Sequence, residues 1–547
     1  MSRYAHVEQA LLSLRTELHR VYREARAGGF PSVAKARSII NRGVALSVLQ
    51  RGPLHASSDL PYTDEYYGVV NSSLNTYKLW CEVSIRLQLP TFVDDSPISL
   101  DMVFRWIDFV HPMYHRPPPA RNRVNHGSAI YQCISKLMIS IIRSDEDRLL
   151  SAMRAQPRWL CLALDLWLHC SKYLRELAPQ DPGETCISLT WNADRICERF
   201  SESGSETTQI LDTELMGLVD NRPRALLREL ASLTEYIASL EHIQDNAWLL
   251  VWNMHFHLAV TIARLFGFAG LLAPRALFPA IDAGARQCLK HRASDLRVGL
   301  GYAHDFLALL CTKADDNRNL IRAIKAGLLE LLSDVRDGDD RPGASYYALL
   351  NHLEACLIIP SVLRIFHNVY GGLLREEEDC YIDVLSPDLG FAYRRHWEYY
   401  QKFKTESNWK RTLCCHNTAS VGTSLLDRVT LEDALFIIET VQGMLAAHHE
   451  DFLSERAQLP SRKVEVEGKP KSEENSRSQQ LVFAIYLTEA PEEGDWDFAY
   501  AAEERDVSGD VREDIALVEV EFRLGAVSHV QLLPFLYDVE HASLLVA

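Results

Sequence analysis

The chain has 547 residues, 47% hydrophobic and 24% charged, with 57 Lys+Arg against 74 Asp+Glu. That balance is globular, and a net charge of −17 argues against nucleic-acid binding, which draws on clustered Lys and Arg. Length alone favours several domain-sized units, a helical solenoid being the exception because it grows by stacking repeats.

The opening residues, Met1 to Glu8, lack the apolar core of a secretory signal. The chain is therefore expected inside the cell, in the cytoplasm or nucleus, with its twelve cysteines reduced. Several of those cysteines fall within apolar helical stretches, where Cys acts as a small buried hydrophobe.

In chain order, apolar periodicity predicts helices over 7–26, 32–50, 70–89, 128–143 and 146–177. The pattern is clearest over 223–241, where Leu226, Leu227, Leu230, Leu233, Tyr236, Ile237 and Leu240 share one face. Asn221 reads as its cap, and Pro223 suits the first turn, where a missing N–H costs nothing. Further helices are predicted over 245–266, 277–291 and 295–312. Within the first of these, Ala247 to Ala263 carries no formal charge, but its polar Asn253, His255 and His257 favour a buried core helix over a membrane span. Leu320, Ile321, Ile324, Leu328, Leu331 and Val335 predict a helix over 317–335, stopped by the segment Asp337 to Gly343. Helices over 345–370 and 388–408 complete the run. Short polar or Pro/Gly breaks separate these stretches, and no strand pattern intervenes. The expected fold is mainly α, a solenoid-like, irregular helical array over residues 1–410.

A long helix is expected within 429–458, opened by the Thr430-x-x-Asp433 pattern. Residues 459–480 read as a solvated polar linker. Residues 481–547 read as a small acidic α+β tail. From 461 onward there are 8 Lys+Arg against 19 Asp+Glu. Leu481 to Leu487 and the alternation of Val518, Val520 and Phe522 with Glu519 and Glu521 predict strands, with Trp496 to Tyr500 a third candidate.

Signatures of catalysis are few. Gly299-Leu-Gly301-Tyr-Ala-His304 matches two-thirds of a dinucleotide fingerprint, but no strand precedes it and the third glycine is absent. There is no phosphate-binding Gly-x-x-x-x-Gly-Lys-Ser/Thr loop and no Gly-x-Ser-x-Gly elbow. His255 and His257 stand two apart, so a helix turns them to different sides and they cannot chelate together. His111 and His115 have helical ligand spacing, but Pro112 and Pro117 to Pro119 disfavour a regular helix there. Acidic runs such as Glu376 to Asp379 lack calcium-loop spacing and read as solvated faces. No catalytic or cofactor-binding residue is nominated.

The segment Trp409 to Ser420 reads Trp-Lys-Arg-Thr-Leu-Cys-Cys-His-Asn-Thr-Ala-Ser, and no cysteine follows it. Cys415, Asn417 and Ser420 fit a Cys-x-Asn-x-x-Cys frame with serine in the last place. This layout resembles the fungal, basidiomycete-type MYND zinc-finger proteins, in which a long helical region leads into the finger. The resemblance implies an ancestor whose finger bound zinc and served protein–protein contact. The finger's later cysteine pairs, its Tyr-Cys-x-x-x-Cys run and its closing His-x-x-x-Cys are missing. The shortfall falls between Asn417 and Leu425. Cys414, Cys415 and His416 are the weak metal candidates that remain. Being consecutive, they cannot all face one tetrahedral ion, so residues 411–428 read as the remnant of a finger. The expectation is a metal-free scaffold or adaptor with protein partners, no nucleic acid and no membrane. A zinc-binding adaptor, if the full finger is present, and an enzyme with a dispersed site in the helical region are the alternatives.

Overall fold

The computed structural model describes residues 5–27, 64–88, 100–111, 123–177, 181–240, 245–266, 271–290, 297–314, 316–336, 343–371 and 386–406. It also describes five strands between 477 and 546, and Ser38, Asp433, Phe436 and Ile437 singly. The fold is mainly α, a helical array. It divides into two compact units, one formed by 1–267 with 273–306 and the other by 268–272 with 307–547.

The first unit contains α1 (Ala5–Arg26), α2 (Asp64–Leu87), α3 (Leu100–Phe109), α4 (Arg123–Ser144), α5 (Glu146–Ala155), α6 (Pro157–Leu168) and α7 (Cys170–Leu177). It continues with α8 (Pro182–Glu202), α9 (Ser205–Gly217), α10 (Pro223–Ala238), α11 (Asp245–Phe266), α12 (Leu277–Lys290) and the first part of α13 (Arg297–Thr312). Helix α2 packs between α1 and α4, while α8 is shared by α4, α6, α9 and α11. A strict solenoid would give each helix only sequence neighbours, so the central place of α8 makes this an irregular array.

Proline and local hydrogen bonding set the helix boundaries. The stretch 146–177, which sequence periodicity joins into one helix, is three. Pro157 cannot donate a backbone hydrogen bond and disfavours helical geometry at Gln156, which sits at φ −135°, ψ 84°. His169, at φ −95°, ψ 14°, makes the second break. Asn221 does not cap α10. It occupies the left-handed region at φ 56° and its N–H closes back on Met216 O, leaving Arg222 at the cap position before Pro223.

Helices α3, α8 and α9 escape the periodicity reading. In α8 the buried side includes Thr185, Ser188, Thr190 and Asn192 among its apolar residues, which hides the stripe. Pro182 at its first turn and the Asp181 side chain, which accepts from Glu184 N, begin this helix. Within α11, Val251, Trp252, Met254, Phe256, Leu258, Ala259 and Ile262 are buried, as expected of a core helix.

The second unit contains α14 (Arg318–Lys325), α15 (Leu328–Arg336), α16 (Ala344–Cys356), α17 (Pro360–Tyr370) and α18 (Pro387–Glu406). The single helices expected over 317–335 and 345–370 are each two. Gly327, at φ 102°, turns the chain between α14 and α15. Pro360 starts α17, whose axis bends 112° from that of α16. Among the described residues no single helix is long and apolar enough to cross a membrane.

Asp433 is nearly enclosed, and its carboxylate accepts from Ser361 N at 3.0 Å, satisfying an orphan donor at the start of α17. The remainder of the helix expected within 429–458 lies outside the described residues, as does the helix expected over 32–50 apart from Ser38.

Strands β1 (Arg477–Tyr486), β2 (Tyr500–Ser508), β3 (Ile515–Leu524), β4 (Val527–Asp538) and β5 (Ser543–Val546) form one sheet in the order β2-β1-β3-β4-β5. The pair β1/β3 is parallel and the others antiparallel. Strand β1 begins inside the segment read as linker, and β2 begins where the third candidate strand was expected to end. Strands β4 and β5 carry no expectation from the sequence.

Candidate functional site

Cys414, Cys415 and His416 lie outside the described residues, as do Asn417, Ser420 and His115. Among the described residues, no group of three or more His, Cys, Asp or Glu side chains is arranged to hold a metal ion.

The densest polar constellation in the first unit surrounds Asp165, on the buried side of α6. His169 Nδ1 donates to Asp165 Oδ1 at 2.7 Å, and the Tyr173 hydroxyl donates to Oδ2 at 2.7 Å. His111, just past α3 and fully enclosed, brings Nε2 to 2.8 Å from the same Oδ2. Tyr131 of α4 packs edge-on against Tyr173 and donates to Leu166 O at 2.7 Å. One carboxylate thus ties together the end of α3 and the α6–α7 junction. Burial pushes the Asp165 carboxyl up, but the His111 and His169 bonds and charges outweigh it and hold the group well below the usual carboxylate range. Burial lowers His169, and the Asp165 bond and charge reverse that to a net rise.

A second pair lies nearer the surface. His257 Nδ1 donates to Asp194 Oδ1 at 2.7 Å, joining α11 to α8, and the imidazole sits 4.8 Å from the Tyr302 ring. Burial raises the Asp194 carboxyl more than His257 lowers it. The Asp194 bond raises His257 against its own burial. Beside this pair, Glu146 accepts from Arg195 at 2.7 Å and from Arg199 at 3.2 Å, and Arg195 also reaches Glu198 at 2.6 Å.

His255 turns away from His257 and meets Thr234 Oγ1 at 2.8 Å. The Thr234 hydroxyl donates to Leu230 O, so His255 Nε2 carries the proton that Thr234 accepts. Burial pushes His255 down to about 3, which keeps it neutral.

The Gly299-Leu-Gly301 sequence lies within α13 and does not form a phosphate loop. A Cβ at Gly299 would strike the Asn253 side chain and backbone, so this glycine serves close helix packing. His304, also in that motif, is buried and pushed down to about 4.

In the second unit, Cys356 donates to Asn317 Oδ1 at 3.4 Å, with the His352 ring nitrogens 3.8 and 4.0 Å from the sulfur. All three residues are buried, so the trio resembles a thiol–imidazole catalytic set in composition but has no exposed nucleophile. No disulfide joins any of the nine described cysteines, and burial pushes Cys81, Cys133, Cys161 and Cys288 each up to about 12. Such thiols are poor nucleophiles and poor metal ligands near neutral pH.

Asp165, His169 and Tyr173 were not singled out in the sequence. The available signal was the spacing Asp165, His169, Tyr173, four apart each time, which places all three on one side of a helix. His111 carried a signal of its own but no indication of its partner. Comparison of the chain with known protein families, curated proteins and solved structures finds no match.

Proposed function

We propose that this protein is a non-enzymatic helical scaffold that binds other proteins, metal-free, in the cytoplasm or nucleus. One observation carries the reading. Helices α16, α17 and α18 leave Tyr347, Val369, Phe391 and Tyr399 exposed, between 38% and 50%. Helix α18 packs on both α16 and α17, so one cluster of helices bears these side chains. Exposed aromatic residues on a rigid helical frame are the usual anchors of protein interfaces. The Asp–His pairs favour the same reading, because their described bonds join helix to helix.

The test is affinity capture from cell extract with the natural chain and with a Tyr347→Ser, Phe391→Ser, Tyr399→Ser variant. Reproducible partners that the variant loses are expected. Recovery of no reproducible partner, or the same set from both proteins, contradicts the proposal.

The frame formed by Cys415, Asn417 and Ser420 favours a second reading, a zinc-binding adaptor of the MYND type. Metal analysis of purified protein separates the two. The metal-free scaffold gives no bound zinc, whereas near-stoichiometric zinc establishes the adaptor.

A further inference from the structure

We propose that the Asp165 cluster is a proton-operated latch that fastens the segment 100–111 to the α6–α7 junction. The argument begins with charge. One carboxylate and one imidazolium make a neutral pair, and a buried neutral pair whose hydrogen bonds are satisfied is tolerable. With His169 protonated beside the Asp165 carboxylate the two charges cancel. Loss of the His169 proton leaves the carboxylate charge uncompensated in a buried place, so the closed arrangement is favoured while His169 is protonated.

Position divides the roles. His111 is fully enclosed, whereas the His169 side chain keeps 20% of its surface exposed. His169 is therefore the group that exchanges its proton with water, and His111 is the group that the latch retains.

His111 ends the segment that begins with helix α3. Helix α3 is held by its apolar face, by stacking of Phe104 on Trp159 at 5.3 Å, and by the Arg158–Asp108 ion pair at 2.6 Å. Loss of the His111 contact loosens one end of it.

The groups around the cluster act in known senses. From α4 comes Tyr131, and from α7 come Tyr173, the hydroxyl donor, and Lys172, which opposes the His169 charge. From α10, Glu229 supports that charge. On α6 itself Cys161 is neutral, its thiol raised by burial and by Glu214 of α9.

Hydrogen exchange of the full chain, read by mass spectrometry in peptides covering 100–111 and corrected for intrinsic rates, tests the latch. Protection is expected to fall severalfold between pH 6 and pH 8, because the raised His169 loses its proton and its contribution as pH rises through the folded value. In His169→Gln the step is expected to vanish. In Tyr173→Phe, which removes a hydrogen bond but no titrating imidazole, protection is expected to fall at every pH while the step remains. Equal corrected protection at both pH values in the natural chain overturns the proposal. So does a step that persists unchanged in His169→Gln.

Discussion

Asp165 shows how much a single buried acid can hold. Replacing it with Asn removes the charge that two imidazoles face, and breaking a buried pair in this way costs about 3 kcal/mol. Tyr173→Phe deletes one hydrogen bond to a charged acceptor, worth about 2 kcal/mol. Chemical denaturation of both variants checks the order, with Asp165→Asn the more destabilising. The pH dependence follows from the directions of the shifts. Asp165 is depressed below its ordinary 3.8, so its contribution is present above that value and is lost as pH falls through the folded one. His169 is raised above 6.5, so its contribution is complete below 6.5 and is lost as pH rises through the folded value. The cluster therefore stabilises most between about pH 4 and pH 6.5. Asp194 and His257 are both raised, and both lose their contribution as pH rises. A melting-temperature profile is expected to decline from pH 6 to 8, and less steeply in His169→Gln.

Glycines make a second set of residue-scale tests. A Cβ at Gly284 would lie 2.6 Å from the Trp252 ring and 2.9 Å from Phe256. Overpacking of this kind costs roughly 1–3 kcal/mol, against ~1 kcal/mol gained from the helix propensity of Ala. Gly284→Ala is therefore expected to lower the denaturation midpoint slightly, whereas Gly301→Ala, which meets nothing within 4 Å, is expected to raise it.

At the scale of elements, the lesson concerns where helices stop. Apolar spacing located most of the described helices, because a stripe of Leu and Ile must face a core. It joined α5, α6 and α7 into one, and likewise α14 with α15 and α16 with α17, because periodicity continues across Pro157, Gly327 and Pro360 even where the backbone turns. Those residues were visible in the chain, and their punctuation outweighed the stripe. Helix α8 was missed for the opposite reason. Among its polar inner residues, Thr185 donates to Asp181 O at 3.1 Å and the Asn192 amide donates to Ser135 O at 3.1 Å.

Asp433 belongs to the same scale. The Thr430-x-x-Asp433 pattern suggested a local cap, yet its carboxylate also serves the distant start of α17, a partnership that local spacing cannot reveal. Asp433→Ala is expected to cost about 1 kcal/mol, as loss of a helix cap does, with exchange quickening first in peptides covering 360–363. Gly327→Ala, forced to φ 102°, is expected to cost more than 1 kcal/mol, since a Cβ is unfavourable in that region. Denaturation of the two variants compares the costs directly.

For the whole molecule, the mainly α character could be read from the chain because stripes of apolar residues recur over its first 400 positions. The candidate site could not. Asp165 meets His111 from 54 positions away, and Asp194 meets His257 from 63. Each pair depends on which helices pack together, and helix periodicity does not specify that.

The same packing accounts for the cysteines. Burial raises the Cys81, Cys133 and Cys288 thiols, so rapid alkylation of the native protein at pH 7 is expected to spare them and to modify them only after unfolding. Peptide mapping after brief iodoacetamide treatment reads this out.

The central claim is that exposed side chains on α16, α17 and α18 dock other proteins. Its most direct measurement is the dissociation constant for a partner recovered by capture, compared between the natural chain and the Tyr347→Ser, Phe391→Ser, Tyr399→Ser variant at matched melting temperature. Loss of aromatic anchors is expected to weaken binding at least ~tenfold, the equivalent of about 1.4 kcal/mol. Equal affinity in the two proteins would contradict the account.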